Sequence, residues 1–259
     1  MRRALSWLSV AALLAAVGAA PASAAPRFEV GAWDALPIGL GVATLGAGYL
    51  VQSSIDPATV GDRSDVFVLD RWVLDGDLAG GDVANQISYA TLGALLGLAV
   101  FQPAGRDEDP LTDYVLYAES LSLTLAVTTI TKVTALRPRP YTYADGAGPP
   151  GTVEDTVSFF SGHNAVAFSV AGTATYLAFA RDGDRTLAWI TGGGAIGLAT
   201  ATAVLRVVAH KHFPTDVLTG AAVGGAIGVL VPWLHAVDDA PASTRRSLVV
   251  TPLGVAGIF

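Results

Sequence analysis

Three short segments gather the lysines and most of the histidines of this chain. It has two lysines, Lys132 and Lys211, and four histidines, His163, His210, His212 and His235. Both lysines and three of the histidines fall in those segments, as do Arg137, Arg139 and Arg206. The first segment runs from Lys132 to Pro140. Lys132 and Arg139 would share one face of a continuous helix, but Pro138 and Pro140 disrupt a helix there, so Arg139 is expected in an extended exit. Read alone, this is equally a basic helix end that offsets the dipole near lipid headgroups.

The second segment, Ser158 to Asn164, contains Ser161-Gly162-His163 directly before an apolar run. Unsatisfied N–H groups at a helix start favour an anion, Gly162 lets the backbone approach a ligand, and His163 can exchange a proton near neutral pH. An ordinary Ser N-cap beside an incidental histidine fits the same residues. The third segment, Leu205 to Asp216, places His212 and Asp216 four residues apart, within reach across one helical turn. A carboxylate on one imidazole nitrogen fixes the tautomer and makes the other nitrogen more basic, as for an oriented catalytic histidine. A structural His–Asp tie and a metal site are the other readings of that pair.

The elements that must hold these groups read as helices. Apolar stretches lie at 35–53, 84–103, 111–131, 164–180, 187–208 and 215–237, each roughly the length of a bilayer span. A shorter helix is expected over 64–74, and strand-like alternation appears only at Leu248-Val249-Val250. Glycines recur at four-residue spacing, Gly193 with Gly197 and Gly220 with Gly224 and Gly228, which suits close helix packing. Charged residues make up 14% of the 259 residues against 52% hydrophobic, which excludes a disordered chain. The formal charge of −7 argues against a nucleic-acid partner held by phosphate neutralisation. With no cysteine, disulfides, thiolate metal sites and Cys nucleophiles are excluded.

The start of the chain reads as an export signal over 1–24: Met1-Arg2-Arg3, an apolar run from Ala4 to Ala20, then Ala22-Ser23-Ala24 for cleavage. Residues 25–259 are then expected to form one all-helical domain, a bundle of about six apolar helices.

Taken together, Lys132, six residues, Arg139-Pro140; then Ser161-Gly162-His163; then Arg206, five residues, His212, three residues, Asp216 resemble the tripartite signature of the type 2 phosphatidic acid phosphatase superfamily. That superfamily also includes the bacterial class A acid phosphatases and the vanadium haloperoxidases. The resemblance spans 132–216. It departs at Phe160, where a proline is usual, and at Leu205, where a serine is common. The resemblance implies an all-α fold and a metal-independent phosphatase with no cofactor. Lys132, Arg139, Ser161, Gly162 and Arg206 would hold the phosphate, His212 would attack phosphorus with Asp216 orienting it, and His163 would protonate the leaving oxygen. His210 and Lys211 would stand beside them, as substrate contacts or as plain loop residues.

The apolar helices point to a lipid phosphate or diphosphate as substrate and to a membrane setting. A soluble periplasmic acid phosphatase, a vanadate-dependent haloperoxidase and a non-catalytic lipid-binding protein are the competing readings. The slight excess of arginine on the loops opposite the motifs places the site outside the cytoplasm, in the envelope. A cleaved signal followed by a full crossing at 35–53 would place it inside. With the signal cleaved, a periplasmic site requires that 35–53 packs without crossing, or that nothing crosses.

Overall fold

The computed structural model describes residues 26–57, 59–76, 79–105, 109–144, 149–237, 247–251 and 254–258. The leader read at 1–24 lies outside the described residues. Val30–Leu234 form one compact unit, and it is helical, as the patterning implies. Its helices are α1 (Ala35–Gln52), α2 (Gly81–Ala104), α3 (Pro110–Ala135), α4 (Gly162–Arg181), α5 (Arg185–Val208) and α6 (Pro214–His235, whose last residue falls in the other unit).

Local chemistry sets the ends of these helices. Pro37 falls in the first turn of α1, where a missing N–H leaves no bond unmade, so α1 runs unbroken. Asp109 accepts the Thr112 N–H ahead of α3, and Asp184 accepts those of Thr186 and Leu187 at the start of α5. Leu136 stops α3 by turning left-handed, φ 43°, with its N–H on the Lys132 carbonyl at 3.2 Å.

The second unit, Met1–Glu29 with His235–Phe259, has two short antiparallel pairs among its described residues. β1 (Arg27–Phe28) pairs with β2 (Ala236–Val237), and β3 (Ser247–Thr251) with β4 (Gly254–Ile258). The strand-like stretch at 248–250 falls within β3.

In the helical unit α4 is the buried middle, with twelve of its residues out of solvent from Asn164 to Ala178. The Gly220, Gly224 and Gly228 row of α6 lies against its backbone. A Cβ on Gly224 would stand 1.9 Å from the Ala165 carbonyl oxygen, and one on Gly228 would stand 2.1 Å from that of Ser169. The contacts advance together in both helices, so α4 and α6 run parallel. Gly41 and Gly48 of α1 meet Ser122 and Thr129 of α3 in the same sense. Gly193 and Gly197, the other sequence pair, meet nothing within 4 Å.

The C-terminal ends of α1, α3 and α5 therefore gather with the N-terminal ends of α2, α4 and α6. All three signature segments lie at that end. At the other end Arg181 pairs with the buried Asp113 at 2.8 Å.

Four helical stretches, Ala32–Gln52, Gly81–Ala104, Arg185–Val208 and Pro214–His235, are long and apolar enough to cross a membrane. Hydroxyls find partners across the helices: Thr124 of α3 donates to the Ser169 hydroxyl of α4 at 3.0 Å, and Thr173 of α4 to the Gly228 carbonyl of α6 at 2.9 Å. Such bonds hold helices together where lipid offers no partner.

The helix expected over 64–74 is not formed. Two 3-10 turns, Arg63–Asp65 and Arg71–Asp75, stand in its place. The reason is the Arg71 guanidinium, which donates to the carbonyls of Ser64 and Val66 at 2.5 and 2.7 Å and so takes acceptors that a helix would use for its own N–H groups.

The two glycine rows give a direct contrast. Gly224→Ala is expected to cost about 1–3 kcal/mol through overpacking. Gly197→Ala, with open space around it, should be neutral or stabilise by up to about 1 kcal/mol. Thermal unfolding of the two variants in detergent checks this.

Candidate active site

Each residue singled out in the sequence stands at the shared end of the bundle. Lys132 is in the last turn of α3, and its ammonium donates to the Val157 carbonyl. Arg139 follows the turn after α3 and is buried. It donates to the Glu154 carbonyl at 2.8 Å and the Lys211 carbonyl at 3.1 Å, and it pairs with the Glu154 carboxylate. Ser161 is the N-cap of α4, its hydroxyl accepting the Asn164 N–H at 3.4 Å. Gly162 and His163 open that helix, and a Cβ on Gly162 would stand 3.3 Å from a Thr128 methyl. Arg206 closes α5, His212 lies in the α5–α6 connection and Asp216 in the first turn of α6.

The His212–Asp216 pair has a particular geometry. His212 Nδ1 is 2.8 Å from the Ser158 carbonyl and 3.6 Å from Asp216 Oδ2. A carbonyl can only accept, so the proton is on Nδ1 and the lone pair is on Nε2. Asp216 is committed more closely elsewhere. Its carboxylate accepts the Ser158 hydroxyl at 2.5 Å, the Phe213 N–H at 2.9 Å and an Arg137 N–H at 2.6 Å.

Further residues meet the signature groups at this end, and of these Asp70, Asn85, Ser88 and Tyr89 were not singled out in the sequence. Arg137 bridges two buried carboxylates, Asp216 and, at 2.8 Å, Asp70, with its guanidinium 4.1 Å above the Phe213 ring. Asp70 also accepts the Thr215 N–H and hydroxyl at 3.0 and 2.5 Å. From α2, Asn85 and Ser88 accept from Arg206 at 2.5 and 3.3 Å. Tyr89 sets its ring edge-on to His163 at 4.7 Å. Asn85, Ser88 and Tyr89 share one helical face, and a polar face on an otherwise apolar helix is the signal that could have found them. Ser88 gives Arg206 a hydroxyl partner although the residue before it is Leu205. Lys211 is occupied by the Tyr141 ring, 4.6 Å away. The His210 ring stands by Gly76, where a Cβ would come within 2.7 Å of Nε2.

The electrostatics are one-sided. Burial, then Arg206, Arg139 and Lys132, push His163 down to about 3. Burial, then Arg139, Lys132 and Arg206, hold His212 well below its ordinary range. Among the described residues, His163 Nε2 and Arg206 Nε are buried without a hydrogen-bond partner. Buried polar groups are nearly always paired, so converging cations with two open polar atoms fit an anionic ligand.

Residues 113–238 match the sequence model of the PAP2 superfamily. A lipid A 1-phosphatase of Porphyromonas gingivalis is 38% identical over 86 residues, 33% of this chain and 18% of that one. A PA-phosphatase related-family protein of Dictyostelium discoideum is 32% identical over 129 residues, 45% of this chain and 46% of its own length. The chain thus spans less than half the length of both curated relatives. The crystal structure of the first transmembrane PAP2 type phosphatidylglycerolphosphate phosphatase from Bacillus subtilis aligns at a TM-score of 0.49 and 21% identity, covering 78% of this chain and 94% of that one.

Acidification should destabilise the ligand-free protein. Both histidines bind protons more weakly folded than unfolded, so the unfolded chain takes up protons first. Stability is full above ~6.5 and falls as pH drops towards ~3. His163→Gln, with no proton to gain, should flatten that slope. Inorganic phosphate, offsetting the three cations, should raise the melting temperature most at the acid end. Thermal unfolding in detergent between neutral pH and about pH 4 measures all three.

Proposed function

We propose, from the match of residues 113–238 to the PAP2 superfamily, that this chain is a metal-independent phosphatase of phosphate monoesters or diphosphates of lipids. The observation that carries the reading is the pair of buried atoms without partners, His163 Nε2 and Arg206 Nε, amid Lys132, Arg139 and Arg206. The apolar helices and the lipid A 1-phosphatase relative support a lipid substrate.

In this reading Arg139 and Arg206 hold phosphate oxygens as planar forks and Lys132 as a point charge. The phosphate takes the place of the exposed Glu154 carboxylate on Arg139. The Ser161 hydroxyl and the Gly162 N–H add hydrogen bonds at the α4 start. His212 Nε2 attacks phosphorus as the bond to the leaving oxygen breaks, giving a phosphohistidine. His163, protonated once the phosphate charge offsets its cationic neighbours, gives its proton to that oxygen. It then takes a proton from the water that attacks the phosphohistidine, which releases phosphate and restores His212. The three cations stabilise the charge that develops on the phosphoryl oxygens. Asp216 acts through Ser158 and through its own approach to Nδ1.

We place the site on the periplasmic face of the envelope, from the slight excess of arginine that the whole sequence carries on the loops opposite the motifs. A crossing α1 would then begin on the cytoplasmic side, which sets this orientation against a cleaved signal at 1–24 followed by residues 25–259 as the mature chain. Labelling of Gly151→Cys in intact cells by a membrane-impermeant maleimide decides between them, and label is expected.

Activity is tested by phosphate release in EDTA from phosphatidic acid, a polyprenyl diphosphate and p-nitrophenyl phosphate. His212→Ala should abolish it, and full activity in that variant would overturn the assignment. Asp216→Asn should lose roughly 10²-fold, short of the ~10⁴-fold loss where a carboxylate alone sets a catalytic histidine's tautomer, because the Ser158 carbonyl keeps the proton on Nδ1.

A further inference from the structure

The connection between α1 and α2 exposes an apolar patch. In residues 63–76 the large apolar side chains Phe67, Val68, Leu69 and Trp72 are 55–64% exposed. The two arginines are bonded back onto the segment's own chain rather than reaching away from it. Arg71 holds the Ser64 and Val66 carbonyls, and Arg63 holds the Leu74 carbonyl at 2.8 Å and Asp75 at 2.7 Å. Val66, Asp70 and Val73 are the buried anchors, and Asp70 is tied to Arg137 and Thr215. The two arginines thus clasp the backbone into 3-10 turns that keep four apolar side chains facing outward.

Both flanks identify what covers that face. The segment joins the end of one helix long and apolar enough to cross a membrane to the start of another. Tyr49, Leu50 and Val51 before it, and Val83 and Ile87 after it, are exposed as well. After the polar, exposed stretch from Ser53 to Asp65, apolar exposure returns at 67–72, and a tryptophan at such a boundary suits the bilayer interface.

We propose that residues 63–76 form a lipid-docking lip, in which Phe67, Val68, Leu69 and Trp72 enter the bilayer surface beside the site while Asp70 anchors the underside to Arg137 and Thr215. The occupant is the lipid surface that carries α1 and α2. The proposal rests on the membrane reading above. The lip brings the headgroup layer, where a lipid phosphate sits, to the level of the α4 and α6 starts.

The chain has no cysteine, so single labels are unambiguous. Nitroxides at Phe67→Cys and Leu69→Cys in phospholipid nanodiscs are compared by collision with oxygen and with a water-soluble nickel chelate. Leu40→Cys on α1 is the mid-span control and Gly151→Cys the aqueous one. The expected result is a depth between the controls, at the headgroup level. Free access to the chelate would overturn the proposal, and so would shielding from both quenchers, which marks a protein contact.

A second arm uses the Phe67→Ser/Trp72→Ser double variant. Turnover of lipid in vesicles should fall at least about tenfold, as expected when two aromatic anchors no longer partition. Turnover of p-nitrophenyl phosphate should hold. Equal effects on both substrates would overturn the docking role. If the unaltered protein turns over neither substrate, the phosphatase reading fails, and the depth measurement still decides the lip.

Discussion

The carboxylate of Asp216 is out of solvent, and four residues from three parts of the chain are fixed to that residue. Its oxygens accept from Arg137, from the Ser158 hydroxyl and from the Phe213 N–H, and its backbone carbonyl accepts the Ser161 N–H at 3.1 Å. A buried carboxylate is costly unless it is paired and hydrogen-bonded, so the exit from α3, the extended stretch before α4 and the turn into α6 are held in one register. The side chains gathered at this end of the bundle keep their places because this one charge is satisfied.

Arg137 extends the same constraint outward. It is shared between Asp216 and Asp70, and its flat face lies on Phe213. Two buried negative charges and one positive leave a local excess of negative charge behind the histidines, while Lys132, Arg139 and Arg206 provide positive charge on the side of the open polar atoms. The site is polarised across the imidazole of His212. Such a fixed field acts on developing charge without reorganising at the moment of reaction.

The eight signature residues were legible in the sequence because each stands in a short contiguous segment marked by Gly, Pro or a scarce basic residue. The helices were legible as well, since apolar runs of that length have few alternatives, although α2 to α5 extend beyond their runs while α1 and α6 stop short of theirs. The Asp70–Arg137–Thr215 link was not legible: its members are 67 and 145 residues from Asp70, and no local period connects them. The partner of His212 Nδ1 is a main-chain carbonyl, which leaves no trace in residue type. The 64–74 helix was misread because the apolar spacing was right but the acceptors were taken by Arg71 and Arg63.

That main-chain carbonyl has a bearing on how the site can drift. A side chain that orients a histidine is lost by a single codon change. The Ser158 carbonyl survives every substitution at position 158 itself. What replacement can disturb is the route of the backbone through 157–161, which is pinned by the Lys132 ammonium on the Val157 carbonyl, by the Arg137 carbonyl on the Ser158 N–H at 2.9 Å and by the Asp216 carbonyl on the Ser161 N–H. The tautomer of His212 is thus inherited from the path of the chain, and its genetic vulnerability is displaced from the residue beside it to residues that steer that path.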